Sequence, residues 1–198
     1  MKIFYKYSLI VFFIVFFDQL TKLLVHYNME PGALGQIKLI GNWLKIYYIL
    51  NPGMAFGIQF GFKFGKLFLT LGRIIACFFI GRFIYKRTLS ENKFNIETLG
   101  WVFVLAGAIG NVIDSTFYGI LLNNSCEGSL FKIFHGQVID MIYFDLFVYK
   151  FPKWIPFIGS NIFSCFPIFN IADTFVSIGI GLFLLKKFLE RNNKQNLY

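Results

Sequence analysis

The stretch FNIADTFVSIG, residues 169–179, opens the last long apolar run of the chain. It places Asn170 and Asp173 three positions apart, which predicts that both lie on one face of a helix. The segment 174–185 that follows carries no charged residue. An aspartate beside hydrocarbon indicates a functional site, because a buried charge costs roughly 2.5–3.5 kcal/mol at the centre of a membrane helix. The alternative is a helix start, where a carboxylate accepts hydrogen bonds from free amides and meets the helix dipole.

The Asn-x-x-Asp spacing recurs in a second apolar segment, at Asn111 and Asp114. Asp18 and Asp140 also have mostly apolar neighbours in the sequence. Carboxylates are rare in such segments, so their repetition favours the functional interpretation over simple helix capping.

The composition is too apolar for a soluble domain of 198 residues. The chain is 57% hydrophobic and only 15% charged, with a mean hydropathy of +0.63, whereas soluble domains carry about 25% charged residues. The surplus apolar surface must face lipid. We therefore predict an all-α polytopic membrane protein that forms a single domain over residues 1–198.

Four apolar runs are long enough to cross a membrane, at residues 4–25, 67–85, 98–117 and 168–189. The first follows a short basic lead but has no small-x-small cleavage site, so we interpret it as a retained helix. The third contains Gly100, Gly107 and Gly110, which allow close helix packing.

Two long loops, 28–66 and 118–167, connect the predicted spans. Residues 43–50 of the first loop have strand-like composition, and Asn51-Pro-Gly then predicts a turn. The second loop contains several prolines and aromatic residues, which predict an irregular segment at the membrane interface.

The net charge of +9 does not indicate a nucleic-acid partner, because Lys and Arg gather at the ends of the apolar runs. That distribution predicts cytoplasmic termini and contact with anionic lipid. The polar residues of the four spans and two loops then converge near the outer face: Asp18, Asn51, Asn111, Asp114, Asp140, Asn170 and Asp173.

Cysteine and histidine usage predicts no metal site and no cofactor. Cys77, Cys126 and Cys165 form no CxxC pair, and the chain has only two histidines. Cys126 and Cys165 share one predicted loop, which leaves a disulfide between them open. Asp18 and Lys22 are four positions apart and are predicted to pair along one helix face.

Two functions fit several carboxylates and carboxamides that meet at a membrane surface. One is an ion or proton conduit, which normally needs polar groups through the depth of the bilayer. The other is acid–base hydrolysis by two aspartates, whose mutual repulsion separates their pKa values into a base and an acid. Apart from Arg73, the inner halves of the spans are nearly pure hydrocarbon, which favours the hydrolase.

Five motifs, DQLTK (18–22), NPGMAFG (51–57), GAIGNVID (107–114), VID (138–140) and FNIADT (169–174), occur in this order and resemble lipoprotein signal peptidase. This family is also called signal peptidase II, and the resemblance covers nearly the whole chain. It implies an aspartyl endopeptidase of the bacterial cytoplasmic membrane, with four spans and a small β-cradle at the outer face. The implied substrate is a prolipoprotein, cut before its diacylglyceryl-modified cysteine.

The resemblance assigns the catalytic dyad to Asp140 and Asp173. Residues implied to support the site or contact substrate are Asp18, Lys22, Asn51, Gly53, Asn111, Asp114, Asn170 and Ala172. The implied partners are the prolipoprotein and membrane lipid, and we expect a monomer without a cofactor.

Two features depart from the family pattern. Ser115 stands where many members have Arg, and Arg73 is the candidate substitute. The connections 115–137 and 141–168 are also longer than in many members. Asp145 is the acidic residue nearest to Asp140 in the sequence, and we predict that it is solvated.

Overall fold

The structure, a computed structural model, describes residues 2–32, 35–52, 64–91, 93–126, 128–129, 131–146, 148–150, 162–164 and 166–195. Most of this part of the chain is helical. The helices are α1 (Lys2–Asn28), α2 (Gly65–Ser90), α3 (Ile96–Ile113), α4 (Gly119–Leu121) and α5 (Ile171–Gln195). The strands are β1 (Ile37–Ile40), β2 (Leu44–Asn51), β3 (Val138–Phe144), β4 (Val148–Lys150) and β5 (Ile162–Ser164).

Within the described residues, three helical segments are long and apolar enough to cross a membrane. They are Lys2–Asn28, Gly65–Ser90 and Ile96–Leu121, with hydropathies of 2.0, 1.9 and 1.7. The first three predicted spans fall within them. The fourth long helix, α5, carries Asp173 in its first turn and Lys186 and Lys187 near its other end, which shortens its apolar stretch.

Glycine allows α3 and α5 to pack backbone against backbone, as the sequence predicts for Gly100, Gly107 and Gly110. A Cβ atom at Gly107 would lie 2.2 Å from the carbonyl oxygen of Ala172, and one at Gly179 would lie 2.6 Å from the carbonyl oxygen of Gly100. Both distances are far below van der Waals contact, so only glycine fits there. The α3–α5 pair is the most extensive helix contact in the described chain.

Contacts at one end of the helices fix their relative directions. The Tyr7 hydroxyl, near the start of α1, accepts a hydrogen bond from the backbone N–H of Asn95, which caps α3. Glu97, in the first turn of α3, pairs with Arg87 at the end of α2 and with Lys186 of α5. The starts of α1 and α3 therefore lie with the ends of α2 and α5, and the opposite end holds the polar network described below.

A three-stranded antiparallel sheet in the order β1-β2-β3 lies at that opposite end. The strand predicted at 43–50 is confirmed as β2. Its partner β3 pairs Ile49 with Asp140 and Asn51 with Val138. The expectation of an irregular 118–167 loop is therefore wrong in part, because β3, β4 and β5 lie within it.

Two predicted boundaries need correction. The last helix begins at Ile171 rather than 168, because Phe169 instead forms an antiparallel bridge with Ile142. Asn170 therefore precedes the helix and does not share a helical face with Asp173. The third span does not stay α-helical to residue 117, because Asp114–Tyr118 form a π-helical segment, a feature often found at functional sites.

The cysteines stay unpaired where the structure describes them. Cys77 and Cys126 are free thiols. Cys165 lies outside the described residues, and with it the open disulfide to Cys126.

Candidate functional site

Strand β3 holds Asp140 in a buried position, with 2% of its surface exposed. Asn51, at the end of β2, donates its Nδ2 to Oδ2 of Asp140 over 3.0 Å. Asn170 donates its Nδ2 to the other carboxylate oxygen, Oδ1, over 2.7 Å. Each oxygen of Asp140 thus has a carboxamide donor, which fixes the plane of the carboxyl group.

Asp173 is held at the start of α5 by two other asparagine contacts. Asn111 of α3 donates its Nδ2 to Oδ1 of Asp173 over 2.8 Å. The backbone N–H of Asp173 donates to Oδ1 of Asn170 over 2.9 Å, while Oδ2 of Asp173 accepts from the Asn170 N–H at 3.4 Å. Asn170 and Asp173 therefore cap the helix reciprocally, so capping is part of the role of this pair.

An asparagine bridge connects the two aspartates. Asn170, which binds Asp140, also donates its Nδ2 to Oδ1 of Asn111 over 3.2 Å. Asn111 in turn binds Asp173. The chain Asp140–Asn170–Asn111–Asp173 is continuous, so the two carboxylates are positioned by one hydrogen-bond network.

Both carboxylates line one cavity of about 620 Å³. The other polar residues of its wall are Asn51, Arg73, Asn111, Thr174 and Ser177. Much of the remaining wall is apolar and comes from α5 and the segment before it: Phe166, Pro167, Ile168, Phe169, Val176 and Ile178. A cavity with a polar end and an apolar side suits a substrate that has both an amide group and a hydrocarbon portion.

The pKa of Asp140 is raised to about 7, mainly by burial and in the same direction by the nearby charge of Asp173. The hydrogen bonds from Asn51 and Asn170 oppose this shift. A carboxyl group with a pKa near neutrality can exchange a proton with substrate, so the cavity contains the components of acid–base chemistry.

A buried ionic triad lies behind the cavity. Lys22 Nζ lies 2.7 Å from Asp18 Oδ2 and 2.7 Å from Asp114 Oδ2, and all three side chains have 0% exposure. The predicted Asp18–Lys22 pair is confirmed. Lys22 Nζ also donates to Oδ1 of Asn111 over 3.0 Å, which connects the triad to the asparagine bridge.

The triad also holds the start of α5 and the strand β3. Oδ1 of Asp18 accepts the backbone N–H of Ala172 at 2.8 Å, and the Ala172 side chain is fully buried. Oδ2 of Asp114 accepts the backbone N–H of Ile139 at 3.4 Å. Asp18 and Asp114 therefore position the residues adjacent to Asp173 and Asp140.

Arg73 lies beside Ser115, the position that departs from the family pattern. Arg73 donates Nη1 to the buried Ser115 hydroxyl over 3.3 Å, and Lys66 Nζ lies 3.4 Å from the same oxygen. Arg73 also lines the cavity that contains Asp140 and Asp173. The guanidinium group of Arg73 thus lies near position 115, where many family members have Arg and this chain has Ser.

Sequence reasoning missed Gln19 and Tyr118. Gln19 donates its Nε2 to Asp114 Oδ1 over 2.9 Å and to Asp18 Oδ2 over 3.1 Å. Tyr118 donates its hydroxyl to Oε1 of Gln19 over 2.9 Å. A polar residue beside Asp18 in an apolar run was the available signal for Gln19, whereas Tyr118 resembles the many other aromatic residues of the chain.

Asp145, which we predict to be solvated, lies apart from this network. Asp145 is not simply solvated, because its Oδ2 pairs with Lys45 Nζ at 2.5 Å and both side chains are only partly exposed. Gly53 lies outside the described residues. The structure therefore brings together nine of the ten predicted site residues: Asp18, Lys22, Asn51, Asn111, Asp114, Asp140, Asn170, Ala172 and Asp173.

In the described residues, the buried carboxylates of the spans and the sheet lie with Lys22 at one end of the helices. Asp18, Lys22, Asp114 and Asp140 are buried there. A conduit needs such groups through the depth of the bilayer, so this clustering does not support the transport alternative.

Comparisons with known proteins identify the relatives of this chain. The model of the signal peptidase (SPase) II family matches residues 10–189. A lipoprotein signal peptidase of Amoebophilus asiaticus is 46% identical over 92% of this chain and 78% of its own length. A lipoprotein signal peptidase of Porphyromonas gingivalis is 38% identical over 90% of this chain and 80% of its own length.

The fold is shared with solved bacterial membrane enzymes. A solved bacterial membrane enzyme superposes with a TM-score of 0.62 and 26% identity, covering 96% of this chain and 91% of that chain. A second such structure gives a TM-score of 0.58 with 26% identity. With a family match over most of its length and relatives of this similarity, the chain belongs to the signal peptidase II family.

Proposed function

We propose that Asp140 and Asp173 are the catalytic pair of an aspartic endopeptidase that cuts prolipoproteins before a diacylglyceryl-modified cysteine. Members of this family remove signal peptides from prolipoproteins, so protease activity and a prolipoprotein substrate follow from membership. The observation that carries the proposal is that two carboxylates, connected by one asparagine bridge, line the same cavity.

The chemistry follows from the protonation of Asp140. Its pKa of about 7 lets it hold a proton near neutral pH, while Asp173 acts as the base. Asp173 takes a proton from water as the water oxygen attacks the amide carbon, and Asp140 donates its proton to the carbonyl oxygen. Collapse of the tetrahedral intermediate then returns a proton to Asp140 and transfers the proton of Asp173 to the leaving nitrogen.

The surroundings of the pair support this assignment. The donors Asn51, Asn170 and Asn111 keep both carboxylates in fixed orientations, which reduces the reorganisation needed in the transition state. The apolar wall formed by Phe166, Ile168, Val176 and Ile178 suits the acyl chains of the modified cysteine.

We also propose that α5 is a fourth membrane span, in a bacterial cytoplasmic membrane. It packs along α3, itself a candidate span, and its basic residues lie at the same end as those of α2. The basic termini then face the cytoplasm and the cavity opens at the outer face. In this arrangement substrate reaches a monomeric enzyme by lateral diffusion, and the whole chain acts as one domain without a cofactor.

A gel-shift assay with purified protein tests the proposal. It uses a diacylglyceryl-modified prolipoprotein and the same polypeptide without lipid. We expect cleavage of the lipidated form only, at the bond before the cysteine. If folded protein cuts both forms equally well, the lipid-specific part of the proposal is wrong.

We propose that Arg73 supplies the guanidinium that many family members have at the position of Ser115. It would bind a carbonyl or ester oxygen of the substrate in the cavity. In the same assay we expect Arg73→Gln to lower kcat/KM roughly 10–100-fold, since a charged hydrogen bond contributes about 1.5–3 kcal/mol. Arg73→Lys recovers only part of this, because an ammonium lacks the planar fork of arginine. Unchanged kcat/KM in Arg73→Gln would exclude the role.

The pH profile tests the protonation of Asp140. Because Asp140 must hold a proton and its pKa is about 7, kcat/KM should decrease about tenfold per pH unit above that value. Asn51→Ala removes a hydrogen bond that favours the ionised form, so it should move this alkaline limb to higher pH. A profile that stays flat to pH 9 would contradict the assignment of Asp140 as the acid.

A further inference from the structure

A second cavity of about 500 Å³ shares no lining residue with the Asp140–Asp173 cavity. Its walls come from α1 and α2, and its floor comes from α3. Helices α1 and α2 both pack on α3 but have little contact with each other, so a groove stays open between them. We call this the α1–α2 groove; Tyr7, Ser8, Cys77, Gly81 and Arg82 are among its lining residues.

The α1–α2 groove is apolar along most of its length and basic at one point. Its lining surface consists mainly of side chains such as Val11, Phe78 and Leu105. Small residues leave the space open, because Cβ at Gly81 would meet only Leu105, at 3.9 Å. In a bilayer this groove opens to hydrocarbon. The side chains around an empty groove would lose dispersion contacts, so we expect an acyl chain to fill it.

Two exposed cations lie at the groove. Arg82 lines the groove and Lys86 follows one turn later on the same helix face. Within the part of the chain that the structure describes, neither side chain has a carboxylate or hydrogen-bond partner. The acidic residues at this end pair elsewhere: Glu91 and Glu97 with Arg87, and Glu190 with Lys186.

The apolar lining and the two cations together indicate a ligand with an acyl chain and an anionic group. We propose that the α1–α2 groove binds an anionic glycerophospholipid, with an acyl chain between α1 and α2 and the phosphate at Arg82 and Lys86. The fit rests on charge complementarity, since the unpaired cations lie where the apolar groove approaches the basic end of the helices. This site is separate from the Asp140–Asp173 cavity and does not depend on its chemistry.

Native mass spectrometry of the full chain in detergent tests the proposal. The protein is titrated with phosphatidylglycerol and with phosphatidylcholine of the same acyl chains. We expect the wild type to prefer phosphatidylglycerol, and Arg82→Gln to weaken its binding about fivefold. Arg191→Gln removes the same charge at the same end but outside the groove, so it should leave binding unchanged.

A second pair of variants separates the apolar part of the site from its charge. Gly81→Leu fills the groove and should weaken both lipids, whereas Gly72→Leu, on the same helix but outside the groove, should weaken neither. Circular dichroism melting verifies that each variant is folded. Equal phosphatidylglycerol binding by the wild type, Arg82→Gln and Gly81→Leu would overturn the proposal. So would a dimer that Gly81→Leu abolishes, since a second copy would then occupy the groove.

Discussion

Asp140→Asn and Asp173→Asn each reduce cleavage of lipidated prolipoprotein to background, a loss of roughly 10⁴-fold. Asparagine keeps the size and one carbonyl oxygen of the aspartate, but its NH2 group replaces an oxygen that accepts a hydrogen bond, so one contact is lost at each position. It can neither accept the proton of water nor deliver a proton to the carbonyl oxygen. Single-turnover cleavage with enzyme in excess measures the loss without interference from product release.

Asp145→Asn is the matched control for the dyad variants. Asp145 lies in the same segment as Asp140 but pairs with Lys45 and does not line the cavity. We expect near-wild-type cleavage from it. The inactive variants should still bind lipidated substrate, because the cavity walls are intact. Robust turnover by Asp140→Asn or Asp173→Asn would remove that residue from the dyad.

Lys22→Met should destabilise the protein by about 3–5 kcal/mol, because it leaves two buried carboxylates without their cation. Asp18 and Asp114 would then face each other with no solvent access. The change also removes the hydrogen bond from Lys22 to Asn111, so some loss of cleavage accompanies it. Unfolding followed by circular dichroism in detergent gives the change in stability.

Two comparisons make this prediction specific. Lys186 also bridges two carboxylates, Glu97 and Glu190, but it is 31% exposed and Glu97 keeps Arg87 as a partner. Lys186→Met should therefore cost much less. Combining Lys22→Met with Asp18→Asn and Asp114→Asn removes all three charges and should recover part of the stability. If Lys22→Met is no less stable than Lys186→Met, the triad does not stabilise the fold.

The sequence predicted the parts of this protein that depend on local pattern. Apolar runs gave the first three spans, and glycines at 100, 107 and 110 correctly predicted close helix packing. Polar residues within apolar segments identified nearly the whole network around Asp140 and Asp173. These signals are readable because lipid tolerates few polar side chains, so each exception is conspicuous.

What the sequence did not predict depends on contacts between distant segments. Pairing of β2 with β3 joins residues nearly a hundred positions apart, and no local periodicity specifies it. The start of α5 was placed too early because a long-range bridge removes Phe169 from the helix. Gln19 was missed because its role exists only once Asp114 has been brought to it from another helix.

The bridge between Ile142 and Phe169 has a consequence for the architecture of the enzyme. Ile142 donates its backbone N–H to the Phe169 carbonyl over 2.7 Å, and Phe169 donates back over 3.1 Å. These two hydrogen bonds hold the segment before α5 against β3, so they help to set the spacing between the strand that carries Asp140 and the helix that carries Asp173. We therefore expect insertions between Asp145 and Phe166 to be tolerated, whereas changes at Tyr143 and Phe144, which pair with β2, or at Phe166, Pro167 and Ile168, which line the cavity, should disturb the site.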